Sequence, residues 1–231
     1  MKAIIFDSGT IISFSMNGLL NELRGLRKLF NGKFLITPQV KEEIVDVPLK
    51  IKKFELEALM SKKLIDEGVL ELPRSVGVQN PELARRTNEL IGIADKLFSS
   101  KGRYIKLIGP GEASCLALSK ILTDKGIKNI VAIDERTMRT LVEAPQNLQK
   151  LLERKLHVPI KINSRNYEAF KGFKIIRSTE LIYVAYKKGI INLKGPRVLD
   201  ALLYAMKSKG CAISKEEIEE IKKMDLKTSF K

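Results

Sequence analysis

The chain has 231 residues and a formal charge of +15, from 42 Lys+Arg against 27 Asp+Glu. With 44% hydrophobic and 30% charged residues it is composed like a globular protein that can bury a core, and no apolar run approaches the ~20 residues of a membrane helix. Two cysteines and one histidine speak against a zinc site, a His–His acid/base pair and a Ser-His triad, which leaves carboxylates as the available acid/base chemistry. No signal-peptide pattern opens the chain, so the expected location is cytoplasmic. The basic excess attracts polyanions, most often nucleic acid. A thermophile's Lys-rich surface is the plainer explanation of the same excess.

In chain order the pattern alternates between β and α. Ala3-Ile4-Ile5-Phe6 reads as a buried strand, and residues 11–29 are mixed, helical in their second half. Phe34-Leu35-Ile36 is a short strand. Thr37-Pro38 then predicts an N-cap with proline at the first helical position, and Val40, Ile44 and Val47 form that helix's apolar face. A helix over 54–67 leads to a strand at 69–72, followed by a long amphipathic helix over 81–98. Residues 99–106 read as a basic loop, and Gly109-Pro110-Gly111 launches a helix over 112–123. Cys115 falls within that helix's apolar stripe and reads as core. Asn129 to Ile133 form a strand, with a helix from Arg136. Leu148, Leu151, Leu152 and Leu156 make a further stripe, ending at a structural His157. Phe173 to Ile176 form the last strand, running into a helix through Tyr186. After a joint at Gly195-Pro196 come two short helices, the second with a Ser214–Glu217 capping box and an Ile213–Ile218 staple. Strands separated by helices predict a parallel sheet with right-handed crossovers.

Four acids stand at the end of a strand or near the start of a helix: Asp7, Glu43, Glu112 and Asp134, with Glu135 as a fifth. Ligand sites of open parallel sheets form outside the carboxyl ends of the strands, so these acids are candidates for one pocket. Taken singly, each is explained as a cap or a solvated charge; Glu112 suits a helix N-terminus in any protein. Together they are the oxygen donors that Mg²⁺ and Mn²⁺ prefer. Arg136 and Arg139 follow Asp134 at helical spacing and are candidates to grip RNA phosphates. Lys101, Arg103 and Lys106 cluster before Glu112, suited to positioning RNA without reading it. Tyr104 among them can stack on a base or anchor the loop.

Ile4-Ile5-Phe6-Asp7-Ser8-Gly9-Thr10-Ile11-Ile12 resembles the opening strand of PIN-domain ribonucleases. Ile36-Thr37-Pro38-Gln39-Val40-Lys41-Glu42-Glu43-Ile44 is similar to that family's second acidic motif. Gly111-Glu112-Ala113-Ser114-Cys115-Leu116-Ala117-Leu118 resembles its third, and Val131-Ala132-Ile133-Asp134-Glu135-Arg136 its fourth. The resemblance covers most of residues 1–144, and residues 178–182 look like the final strand-to-helix element. It implies a three-layer α/β/α sandwich with a central parallel sheet and metal-dependent endoribonuclease action on single-stranded RNA. It places Asp7, Glu43, Glu112 and Asp134 around Mg²⁺ or Mn²⁺, Glu135 as a further ligand, and Ser8 as hydrogen-bonding support. It also implies a partner antitoxin and a homodimer, the latter using the apolar stripe of residues 148–156 and the Leu199, Leu202, Leu203 and Met206 face of the closing helices, unless these faces fold back over the chain's own core. The implied organisation is a nuclease domain over 1–193, with an insertion at 146–172, and a helical extension over 194–231. Extra material between Glu43 and Glu112, the insertion and the tail depart from compact PIN toxins.

Phe6-Asp7-Ser8-Gly9-Thr10 is also similar to the haloacid-dehalogenase phosphatase loop and to the phosphate loop of sugar kinases. The first needs a second Asp where Gly9 stands, and neither accounts for Glu43 or Glu112. The alternative of another class is a PIN-like RNA-binding or scaffold protein that keeps the acids and does not cleave.

Overall fold

The first apolar run forms strand β1 (Lys2–Phe6), buried from Ala3 onward. In this computed structural model, which describes residues 1–229 and the side chains of residues 1–225, β1 passes straight into helix α1 (Ser8–Met16). Asp7 is its N-cap and accepts the Gly9 N–H. The sequence pattern predicts helix only in the second half of 11–29. Helix α1 buries Thr10, Ile11, Ser13, Phe14 and Ser15, so it lacks the one-sided apolar stripe that betrays a surface helix. Gly18, at a φ of 69°, turns the chain into α2 (Leu20–Leu29), whose inner face is Leu20, Leu23 and Leu26.

Strand β2 (Lys33–Leu35) precedes Thr37, which caps α3 (Pro38–Lys41) by accepting the Val40 N–H at 3.2 Å. The helix continues as a π turn, Glu42–Asp46, and two 3-10 turns lead to α4 (Glu55–Asp66). The strand expected at 69–72 shrinks to one parallel bridge between Leu35 and Glu71, because Pro73 opens a 3-10 turn. Helix α5 (Asn80–Ala94) ends earlier than expected, and Phe98 opens strand β3 (Phe98–Ser100). The expected basic loop is instead a hairpin from β3 to β4 (Arg103–Tyr104). Lys101 and Gly102 hold φ of 48° and 76°, the double positive that a type I′ hairpin turn requires.

Helix α6 (Pro110–Asp124) carries Glu112 in its first turn, and β5 (Lys128–Ala132) runs into Asp134. Helices α7 (Arg136–Glu143) and α8 (Pro145–Leu156) follow. Strand β6 (Lys161–Ile162) then pairs antiparallel with β3, giving a small second sheet in the order β4-β3-β6. The region expected as an insertion therefore supplies one edge of that sheet. A single helical turn, α9 (Ser164–Tyr167), leads towards β7 (Ile175–Ile176) and α10 (Ser178–Lys187). Helices α11 (Val198–Ser208) and α12 (Lys215–Ser229) complete the described chain.

The fold is α/β, with a four-stranded parallel sheet in the order β2-β1-β5-β7. Ile5 lies opposite both Leu35 and Val131, and Val131 opposite Ile175. Helix α6 packs on β1 and β5, while α10 packs on α2 and α11. The expected extension over 194–231, whose residues 230–231 lie outside the described ones, shares the main core. Leu199, Leu202, Leu203, Met206, Ile213 and Ile218 are buried in one cluster with β1 and β5. Leu148 and Leu152 join it too. The apolar faces that suggested a homodimer are thus largely covered by the chain's own core. Among the described residues, no helix is long and apolar enough to cross a membrane.

Candidate functional site

Asp7 sits where the parallel sheet ends, its N–H held by Ala132 O at 3.0 Å and the residue only 4% exposed. Burial, then the charge of Glu112, push its pKa up to about 7 from an ordinary 3.8; Glu43 adds to the rise. The Gly9 and Ser8 backbone N–H groups work in the other direction. The support expected of Ser8 therefore comes from its main chain. Glu112 is half-buried and its pKa is also raised, by burial first, then by Glu135 and Glu43, against the opposing pull of backbone N–H groups.

Two glycines let the glutamates lie where they do. A Cβ on Gly111 would stand 2.6 Å from Glu43 Oε1 and 2.8 Å from Oε2, and one on Gly109 would stand 2.5 Å from Glu112 Oε2. Glu43 projects from the π turn, a distortion that helices often carry at functional positions. The Glu43 and Glu112 segments are stitched together by Thr37 and Ser114, whose hydroxyls are 2.6 Å apart. Ser114 also donates to Gly111 O at 2.6 Å. Neither hydroxyl stands out in the sequence as part of a site. Their positions, one before a helix-opening proline and one two residues beyond Glu112, are the available signal.

Under the cluster lies Cys115, buried as expected, with Sγ 3.7 Å from Phe6 O. Its thiol pKa is raised first by burial and then by Asp7, Glu43 and Glu112 together. The same three acids thus act on one another and on a common neighbour.

Asp134 is equally buried, at 2% exposure, but both its oxygens are engaged by other partners. Oδ2 accepts from Ser13 Oγ at 3.0 Å and Oδ1 from the Ser178 N–H at 2.8 Å. Its backbone O takes the Ala212 N–H at 3.0 Å. It ties β5 to α1, α10 and the segment before α12. Glu135 is exposed and caps α7, accepting the Met138 N–H at 2.7 Å while its charge reaches Glu112. The structure brings Asp7, Glu43 and Glu112 together, with Glu135 at the margin and Asp134 bound into the framework.

The basic residues divide similarly. Arg136 is exposed. Arg139 is occupied: Nη1 donates to Ala212 O at 2.7 Å, and Glu143 and Glu217 lie at 3.5 Å and 3.9 Å. Arg177 joins the same knot through Glu180 and, at 2.7 Å, Glu217. Lys101 and Arg103 are exposed on the β3–β4 hairpin beside Tyr104, which is 62% exposed, and Lys106 lies 3.6 Å from Asp95.

Hard oxygen donors whose charges are mutually unfavourable suit a divalent cation such as Mg²⁺ or Mn²⁺. The donor types and their glycine-lined placement fit one. Among the described residues, however, no group of three His, Cys, Asp or Glu side chains closes into a ligand shell. No family model, curated protein or solved structure matches this chain.

Proposed function

We propose that this chain is a PIN-like endoribonuclease of three-layer α/β/α architecture that hydrolyses phosphodiester bonds of single-stranded RNA with Mg²⁺ or Mn²⁺. The observation that carries the reading is Asp7: a carboxylate at the end of a central parallel strand, 4% exposed, with its pKa raised to about 7 by burial and by Glu112 and Glu43. Holding such a group next to two more acids costs stability, and sites that bind cations or move protons are where such costs are retained.

Asp7, Glu43 and Glu112 would hold the cation, with Glu135 contributing from the margin. When bound, the cation supplies Lewis acidity to a phosphate oxygen and a more acidic water. The protein's part is placement. Asp7 is fixed by the Gly9 N–H, Glu43 and Glu112 by the Thr37–Ser114 link and the two glycines. Asp134 acts as a positioning residue, setting the end of β5 against α1 and α10. Lys101, Arg103 and Arg136 are exposed cations available to RNA phosphates, and Tyr104 offers a stacking face.

The test is incubation of a labelled single-stranded RNA with the purified chain in Mn²⁺, in Mg²⁺ and in EDTA. Cleavage that needs the metal supports the reading, and cleavage indifferent to EDTA rejects it.

A further inference from the structure

Residues directly opposite each other in an antiparallel sheet share a face, and successive residues of a strand alternate between faces. In the β4-β3-β6 sheet, Phe98 lies opposite Ile162, and the Ile105 N–H donates to Phe98 O at 2.9 Å. All three pack into the main core, so that face of the sheet is the inner one. Ser99 lies opposite both Tyr104 and Lys161, which makes these three a row across the outer face. Tyr104 is 62% exposed and Lys161 is exposed. The Tyr104 side chain makes no hydrogen bond or ring contact among the described residues. Ser99 is small, so the row is a shallow trough with an aromatic ring on one side and an ammonium on the other. Ser100 Oγ donates to Pro159 O at 2.9 Å, tying the chain entering β6 to β3. Lys101 and Arg103 stand at the hairpin end, and Arg165 in the single turn after β6. With Lys161 they are four exposed cations that have no ion-pair partner among the described residues. Their neighbours Lys106 and Lys171, by contrast, have Asp95 at 3.6 Å and Glu168 at 2.6 Å.

We propose that this small sheet is an RNA-docking surface separate from the acidic cluster, on which a single strand lays one unstacked base against Tyr104 and its phosphates along Lys161, Arg165 and the hairpin cations. The proposal rests on the nuclease reading above. It gives the segment over 146–172 a function there, since Lys161 and Arg165 are two of the four cations. An exposed aromatic ring stacks on any base, and a basic track holds the backbone, so such a surface grips single strands with little regard to sequence. A duplex keeps its bases stacked on one another and offers the ring nothing. Tyr104 and Lys161 are two strand spacings apart, roughly 10 Å between Cα atoms, and both long side chains narrow that gap. One nucleotide supplies a flat base and an anion together, which suits the trough. An acidic peptide would pair with the cations and leave the ring bare, and a membrane surface would need a larger apolar face than one ring. Glu112 follows Tyr104 by eight residues, so their Cα atoms lie no more than about 28 Å apart. One strand of RNA can therefore occupy the sheet and reach the acids.

The experiment is fluorescence anisotropy of the full chain in EDTA with a labelled single-stranded RNA of about 16 nucleotides, and with its blunt duplex. Tyr104→Ala is expected to weaken single-strand binding at least about fivefold, the lower end of what one stacked base contributes, and Tyr104→Phe to retain it. Lys161→Ala with Arg165→Ala should lower the log–log salt slope by about 0.7 for each phosphate no longer neutralised. Lys28→Ala, which removes an exposed cation on α2, should change affinity and slope little. The duplex should bind more weakly and be indifferent to Tyr104→Ala. Metal-dependent cleavage by a protein whose RNA affinity survives the Tyr104 and Lys161 changes would overturn the surface and leave the nuclease reading standing. Affinity lost in those variants, in a protein that cuts no RNA with any divalent metal, would keep the surface and remove the nuclease reading. A duplex bound as tightly as the single strand, or a Lys28→Ala effect equal to that at Lys161, would reduce the binding to bulk charge and overturn the proposal. So would a loss of affinity in Tyr104→Ala that comes only with a matching loss of folded protein.

Discussion

Thr37 Oγ1 and Ser114 Oγ lie 2.6 Å apart, and this hydrogen bond fastens the segment carrying Glu43 to the helix carrying Glu112. Thr37 also caps its own helix, and Ser114 also grips Gly111 O. Thr37→Val keeps the shape and removes both hydrogen bonds that Thr37 makes. The expected cost is about 1–3 kcal/mol in urea unfolding, that of removing a cap in a buried setting. A larger fractional fall in RNA cleavage than in folded population is expected, because Glu43 then drifts from Glu112.

Gly111→Ala separates site geometry from stability. The added methyl meets only the carboxylate end of Glu43, at 2.6 Å and 2.8 Å, which is free to swing away. Replacing glycine within a helix by alanine favours folding by roughly 0.5–1 kcal/mol. The variant should therefore unfold at an equal or higher temperature and yet cleave RNA more slowly than wild type. Full cleavage with Glu43 displaced would remove Glu43 from the site.

Asp7 predicts an unusual pH dependence. Its pKa rises from 3.8 to about 7 on folding, so between those values the folded chain holds a proton that the unfolded chain has released. Stability must increase as pH falls through that window and decline as pH rises towards about 7. In EDTA the melting temperature should be higher at pH 5.5 than at pH 8, Mn²⁺ should restore it at pH 8, and Asp7→Asn should flatten the profile. Asp134→Asn should instead lose about 1–3 kcal/mol at either pH, since its amide cannot accept from both Ser13 and Ser178.

The basic residues should sort by exposure. Lys101→Ala with Arg103→Ala, on the exposed hairpin, should leave the melting temperature unchanged. It should weaken RNA binding and lower the log–log salt slope by about 0.7 for each phosphate no longer neutralised. Arg139→Ala removes a donor to Ala212 O and a neighbour of Glu217, so it should lower stability while changing the salt slope little.

Much of the fold is legible in the sequence because single residues carry local rules. Thr37-Pro38 is a helix start in any context, and the Ser214–Glu217 box forms as written, Ser214 N to Glu217 Oε2 at 2.8 Å. Three of the acids read at strand ends and helix starts, Asp7, Glu43 and Glu112, lie close enough for their charges to act on one another. What stays hidden depends on tertiary partners. Helix α1 is buried on most of its circumference and so shows no stripe. Strands β3, β4 and β6 are two or three residues each, and β6 pairs with β3 across about sixty residues of sequence, beyond any local pattern. The engagement of Asp134 by Ser13 and Ser178 is of the same kind, since neither serine is near it in the chain.

The most direct test of the metal-centred account is single-turnover cleavage of a labelled single-stranded RNA in Mn²⁺ by wild type, Asp7→Asn and Glu112→Gln, with RNA affinity measured in parallel. The account predicts cleavage by wild type that EDTA abolishes and RNA affinity equal to wild type in both variants. It also predicts at least about a hundredfold slower cleavage in either variant, on the order of removing one main electrostatic contributor to a transition state. Wild-type protein that binds RNA tightly and cuts none with any divalent metal would contradict it, and would make the chain an RNA-binding protein that retains the acids without using them.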